Sequence, residues 1–127
     1  MIKHIAHFAI LIPDYDAALR FFTSIGFECL EDTQLEEGKR WVRVAPKGSQ
    51  TEILLAKAAT KNQLQTVGKQ GGGRVWLFLE TDDFEADYSL LKKAGVKFEE
   101  QPRTEAYGRV VVWNDPWGNR WDLIQRT

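Results

Sequence analysis

Few side chains in this 127-residue chain have types and spacings suited to chemistry. Alternate residues of a strand point the same way, so Arg43 shares a face with Trp41, and Arg109 shares one with Val111 and Trp113. A guanidinium so placed is able to clamp a carboxylate through two parallel hydrogen bonds. The plainer reading is a solvated sheet edge. Trp41, Trp76, Trp113, Trp117 and Trp121 each offer a large apolar surface and one N–H donor. That suits either a packed core or the wall of a site for a flat ligand. The two histidines, His4 and His7, lie three residues apart and on a strand would point to opposite faces. Cys29, the single cysteine, follows Gly26-Phe27 and is expected to be a buried, inert thiol. No nucleophile elbow, dinucleotide fingerprint or phosphate-binding loop is present, so no nucleotide cofactor is expected.

The elements that must position these residues occur twice. At an offset of 69, His7 falls on Trp76, Asp14 on Asp83, Ala17 on Ala86, Phe22 on Leu91 and Gly26 on Gly95. At an offset of 70, Pro46 meets Pro116, Gly48 meets Gly118, Glu52 meets Asp122 and Ile53 meets Leu123. One inserted residue reconciles the two registers, and such a ladder marks an internal duplication. Each half opens on an apolar strand, Ile5–Ile12 or Val75–Thr81. A helix follows, capped by Asp14 or Asp83 and ended by Gly26 or Gly95. Three strands complete each half, near 27–34, 40–45 and 51–56, then near 97–101, 109–113 and 121–125. The reading is an α+β chain of two tandem βαβββ modules with curved mixed sheets. Module 1 spans about 1–56 and module 2 about 74–127 of one domain. Residues 57–73, with Gly71-Gly72-Gly73, read as a flexible linker or a loop over the site.

The segment His7–Asp14, followed by Phe21-Phe22 and Ile25-Gly26-Phe27, resembles the opening of the vicinal oxygen chelate superfamily (glyoxalase, bleomycin resistance protein and extradiol dioxygenase). Asn114-Asp115-Pro116-Trp117-Gly118-Asn119-Arg120-Trp121-Asp122-Leu123 resembles its closing turn and last strand. The resemblance covers nearly the whole chain. It implies metal ligands on the first and last strand of each module: His7, Glu52, Trp76 and Asp122. Three of these can coordinate; indole cannot. The ion implied by His7, Glu52 and Asp122 is Zn, Ni, Mn or Fe about equally. With it, Glu52 and Asp122 become candidate catalytic groups of a lyase or isomerase. One histidine and two carboxylates speak against a ring-cleaving dioxygenase. An Arg43 or Arg109 guanidinium neutralising the carboxylates would instead leave no room for an ion.

Three functions compete: a metal-dependent lyase or isomerase, a metal-free binder like the drug-sequestering branch, and a homodimer with vestigial ligands. The preferred reading is a binder of a small, anionic or aromatic molecule, with Trp76, Phe78, Tyr107 and Arg109 at the wall of the cup. Asp115, Pro116, Gly118 and Asn119 are expected to be a structural turn. The net charge of −1, with Lys and Arg scattered, offers no stripe for a nucleic acid. The N-terminal apolar run is too short to span a bilayer. A cytoplasmic homodimer is expected, since one cysteine suits a reducing compartment and symmetric pairs are common.

Overall fold

The computed structural model describes all 127 residues, and the chain divides into two compact units, Met1–Thr66 and Val67–Thr127. The first contains β1 (His7–Ile12), α1 (Tyr15–Ser24), β2 (Phe27–Glu36), β3 (Lys39–Pro46), β4 (Glu52–Lys57) and α2 (Lys61–Thr66). The second contains β5 (Val75–Glu80), α3 (Phe84–Lys93), β6 (Lys97–Phe98), β7 (Arg103–Glu105), β8 (Gly108–Asn114) and β9 (Arg120–Arg126). Each unit has the expected βαβββ course, and the second adds the short β7 before β8.

The helices begin where the two aspartates dictate. The Asp14 carboxylate accepts the Ala17 amide at 2.9 Å, and Asp83 accepts that of Ala86 at 3.2 Å. These satisfy amides that have no partner inside the helix. Gly26 and Gly95 follow the helix ends at φ 92° and 83°, a backbone state that side chains with a Cβ disfavour.

In the first unit the strand order is β1-β4-β3-β2. β1 runs parallel to β4, with His7 opposite Glu52, and the other pairs are antiparallel. Alternation then sorts the side chains. Ile10 and Ile12 of β1, Val42 and Val44 of β3, and Leu55 of β4 point to one face and are buried with Ala18 and Phe22 of α1. Each large apolar side chain removed from water in this way contributes roughly 1.5–3 kcal/mol. His7, Trp41, Arg43, Glu52 and Leu54 alternate to the other face.

The second sheet runs β5-β9-β8-β6, with β7 also on β8; β5 and β9 are parallel. Its helix side holds Trp113 stacked on Trp121, with centroids 5.0 Å apart, plus Val111 and Leu123, all buried. Phe84 and Leu91 are the buried residues of α3.

Three expectations need correction. Cys29 is exposed on β2, next to a bulge between Cys29 and Glu31 that interrupts the regular alternation. Residues 57–73 are not a plain linker. Thr60 and Gln63 form a reciprocal cap, in which the Gln63 amide donates to the Thr60 hydroxyl oxygen and the Gln63 side-chain oxygen accepts the Ala59 amide, and α2 follows from it. The glycine run is tied to the second unit, because Asn119 accepts the Gln70 amide and Arg120 donates to the Gly73 carbonyl at 2.8 Å.

Candidate functional site

The first unit's uncovered face is built from three strands. His7, from β1, is exposed and meets the Trp41 ring edge-on at 5.8 Å. Glu52 lies directly across from His7 on β4. Arg43, on β3 opposite Leu54, reaches both ways: its Nε donates to Glu31 at 3.1 Å, and its Nη1 donates to Glu52. The guanidinium is a quarter exposed, so these are sheltered, charge-assisted bonds rather than loose surface pairs. Glu52 first and Glu31 second raise the affinity of Arg43 for its proton, as expected of a cation held between two carboxylates.

At one end of this face lies a cleft of about 490 Å³. Trp41, Leu54, Ala56 and Ala58 give it apolar walls; Lys39 and Lys57 stand at its polar side. Tyr15 also lines it, with its hydroxyl accepting the Arg40 amide and its ring under the Arg40 guanidinium at 5.1 Å.

The second unit places its candidates differently. The repeat ladder pairs Trp76 with the position of His7, so Trp76 is expected opposite Asp122. In the structure Asp122 sits opposite Phe78, and a bulge falls between Val75 and Leu77. Bulges of this kind break the two-residue alternation. The parity that would set Trp76 and Phe78 on one face therefore does not carry across. Trp76 is half-buried against Gly71, where an added Cβ would lie 2.8 Å from the Trp76 Cβ. Phe78 is 60% exposed.

Asp122 is the more unusual group. Its Oδ1 is buried and accepts no hydrogen bond. Burial raises its pKa above the ordinary aspartate value; Arg103 opposes that shift and Glu100 adds to it. Neighbouring charges are already paired: Arg103 binds Glu100 at 2.8 Å, and Arg120 binds Glu99 at 2.7 Å.

Arg109 does not share a face with Phe78. It is opposite Gln125, whose side chain accepts the Phe84 amide at the start of α3. Its guanidinium lies 4.9 Å from the centre of the Phe84 ring and pairs with Glu85 at 2.6 Å. Tyr107, 47% exposed, lies in the β7–β8 turn. The four expected wall residues are thus not gathered on one face of the sheet.

His7 and Glu52 belong to the first unit and Asp122 to the second; no group of three or more His, Cys, Asp or Glu side chains able to hold a metal ion is present. The donors fit an ion poorly. Glu52 is committed to Arg43, indole cannot coordinate, and the Asp122 Oδ1 is enclosed. The bridging role of Arg43 depends on neighbours across two strands, although its shared face with Trp41 follows from parity alone.

The family model for the Glyoxalase/Bleomycin resistance protein/Dioxygenase superfamily matches residues 4–123. An uncharacterized protein of Shewanella frigidimarina is 45% identical, with 98% of this chain and 95% of the relative covered. Among solved structures, TnmS3, an antibiotic binding protein from Streptomyces sp. CB03234, is 31% identical with a TM-score of 0.81, covering 99% of this chain and 98% of that one. A superfamily member from Sphaerobacter thermophilus is 29% identical with a TM-score of 0.83, each chain being 98% covered.

Proposed function

We propose a function from one premise: the chain belongs to the glyoxalase/bleomycin resistance protein/dioxygenase superfamily. Within that family it is a metal-independent binder of a small organic molecule that contains an aromatic ring. The observation that carries this reading is the Arg43 bridge. A resident cation would have to displace a guanidinium already bonded to Glu31 and Glu52. The positive charge that two nearby carboxylates call for is supplied by the protein itself. The similarity to an antibiotic binding protein supports the same direction. The aromatic contact we assign is Trp41, in the first unit; Phe78 is a separate proposal for the second unit's own exposed surface. Tyr107, at the β7–β8 turn, and Arg109, whose exposed guanidinium pairs with Glu85 at 2.6 Å, are further proposed contacts in the second unit.

The test is titration of chelator-treated protein with Zn, Ni, Mn and Fe, beside His7→Ala and Arg43→Gln. The expected result is no tight stoichiometric binding to the natural sequence, with aromatic-ligand binding unchanged by chelation. Arg43→Gln, which frees Glu52 beside His7, is expected to bind Ni or Zn measurably better than the natural chain. Tight binding to the natural chain that His7→Ala abolishes would overturn the proposal and favour a metal-dependent lyase or isomerase using His7, Glu52 and Asp122.

A further inference from the structure

We propose that the cleft in the first unit is an anion-selective site for a flat apolar molecule carrying one acidic group. This rests on the reading of the protein as a small-molecule binder and adds where a ligand sits and what it must carry. The cleft, at about 490 Å³, lies within the usual range for a small-ligand site, roughly 300–1,000 Å³. Trp41, Leu54, Ala56 and Ala58 give it a continuous apolar surface with one broad aromatic face.

Charge decides the class of ligand. Three cations line the cleft: Lys39, Arg40 and Lys57. Arg40 is already satisfied, bound to Asp16 at 3.0 Å and to Asp32 at 2.7 Å, with its face on Tyr15. Lys39 and Lys57 are exposed and take part in no salt bridge. No Asp or Glu lines the cleft, and the hairpin residues Glu36 and Glu37 lie outside its walls. Two unmatched ammonium groups beside an apolar wall attract an anion and disfavour a cation. Gln63 adds selectivity. Its side-chain oxygen is used by the Ala59 amide, so its NH₂ is the end left to donate toward an acidic oxygen.

The experiment compares two fluorescent probes with the same ring system: anilinonaphthalene sulfonate and its uncharged parent, phenylnaphthylamine. Binding is measured on the full chain by fluorescence titration. We expect one sulfonate site per chain, with affinity about tenfold above that of the parent, a gap near 1.4 kcal/mol. Raised salt should narrow that gap. The double substitution Lys39→Gln with Lys57→Gln lies on the surface and should not disturb folding. It is expected to bring the sulfonate close to the parent while leaving the parent unchanged. Ala56→Phe, which fills the cleft, is expected to weaken both probes, and Lys61→Gln on α2 neither. Equal affinity for the two probes, no binding of either, or indifference of the sulfonate to the double substitution would overturn the inference. Equal affinity of the two probes sinks this inference and leaves the reading as a small-molecule binder standing; a resident metal in the titration above sinks the functional reading itself.

Discussion

Asp122 carries a cost that a neutral side chain would avoid. Its Oδ1 is shut from water with no donor, and burial raises its pKa. Between the unfolded value, near 3.9, and the raised folded value, the native state holds more protons. Stability therefore falls as pH rises through that window, and the penalty is complete above it. Asp122→Asn is expected to raise the melting temperature at pH 7, with the advantage shrinking as pH approaches about 4. Thermal denaturation at the two pH values checks this, and a variant less stable at both would sink the account. Asp32 behaves in the opposite sense: its hydrogen bond from Arg40 lowers its pKa, so its contribution is present at neutral pH and lost as acid protonates it.

At the scale of elements, the turn between β8 and β9 is organised by one buried carboxylate. Asp115 Oδ1 accepts the amides of Trp117, Gly118 and Asn119, and Oδ2 accepts the Asn119 side chain and the Trp121 indole at 3.0 Å. The turn thereby sets the entry of β9 and anchors the indole that stacks on Trp113. Asp115→Ala strands several buried donors at once and is expected to lower stability by about 2–4 kcal/mol, read as a shift in the urea midpoint. Gly108 opens β8 at φ 147°, and a Cβ there would lie 2.1 Å from the Gln125 carbonyl oxygen of β9. The obstacle is backbone of the paired strand. Gly108→Ala is accordingly expected to cost at least about 2 kcal/mol, with hydrogen exchange rising first along β7–β9.

For the whole molecule, the expectation of a homodimer stands as a prediction. β1 and β2 are edge strands of the first sheet; Ile2 and Ile5 on the N-terminal approach to β1, and Phe8 within it, are exposed at 96%, 63% and 40%. Such edges and apolar side chains are usually covered. Light scattering at tens of micromolar, where a weak standard interface already associates, is expected to report a dimer. Ile5→Lys combined with Phe8→Lys is expected to shift it toward monomer. A monomeric natural chain would count against the prediction. No helix is long and apolar enough to cross a membrane.

Much of the fold was legible because its signals are local. Asp14 and Asp83 cap helices through amides three residues away, and Gly26 and Gly95 end them through their own φ angles. Apolar alternation is likewise a property of each strand alone, and the repeated ladder tied these signals into two modules. The candidate site was legible only in part, because its chemistry depends on which strands meet and in what register. The register of β5 against β9, together with a bulge near Trp76, set Asp122 opposite Phe78, which the spacing within one strand does not reveal. Arg43 became the partner of Glu52 only once β3 lay between β2 and β4. Arg109 met Glu85 only once α3, 24 residues earlier in the chain, lay beside β8. Residue type and periodicity determined which elements form and which side chains are able to act; tertiary pairing alone decided which charges are spent on each other and which, like Lys39 and Lys57, are left without a salt bridge.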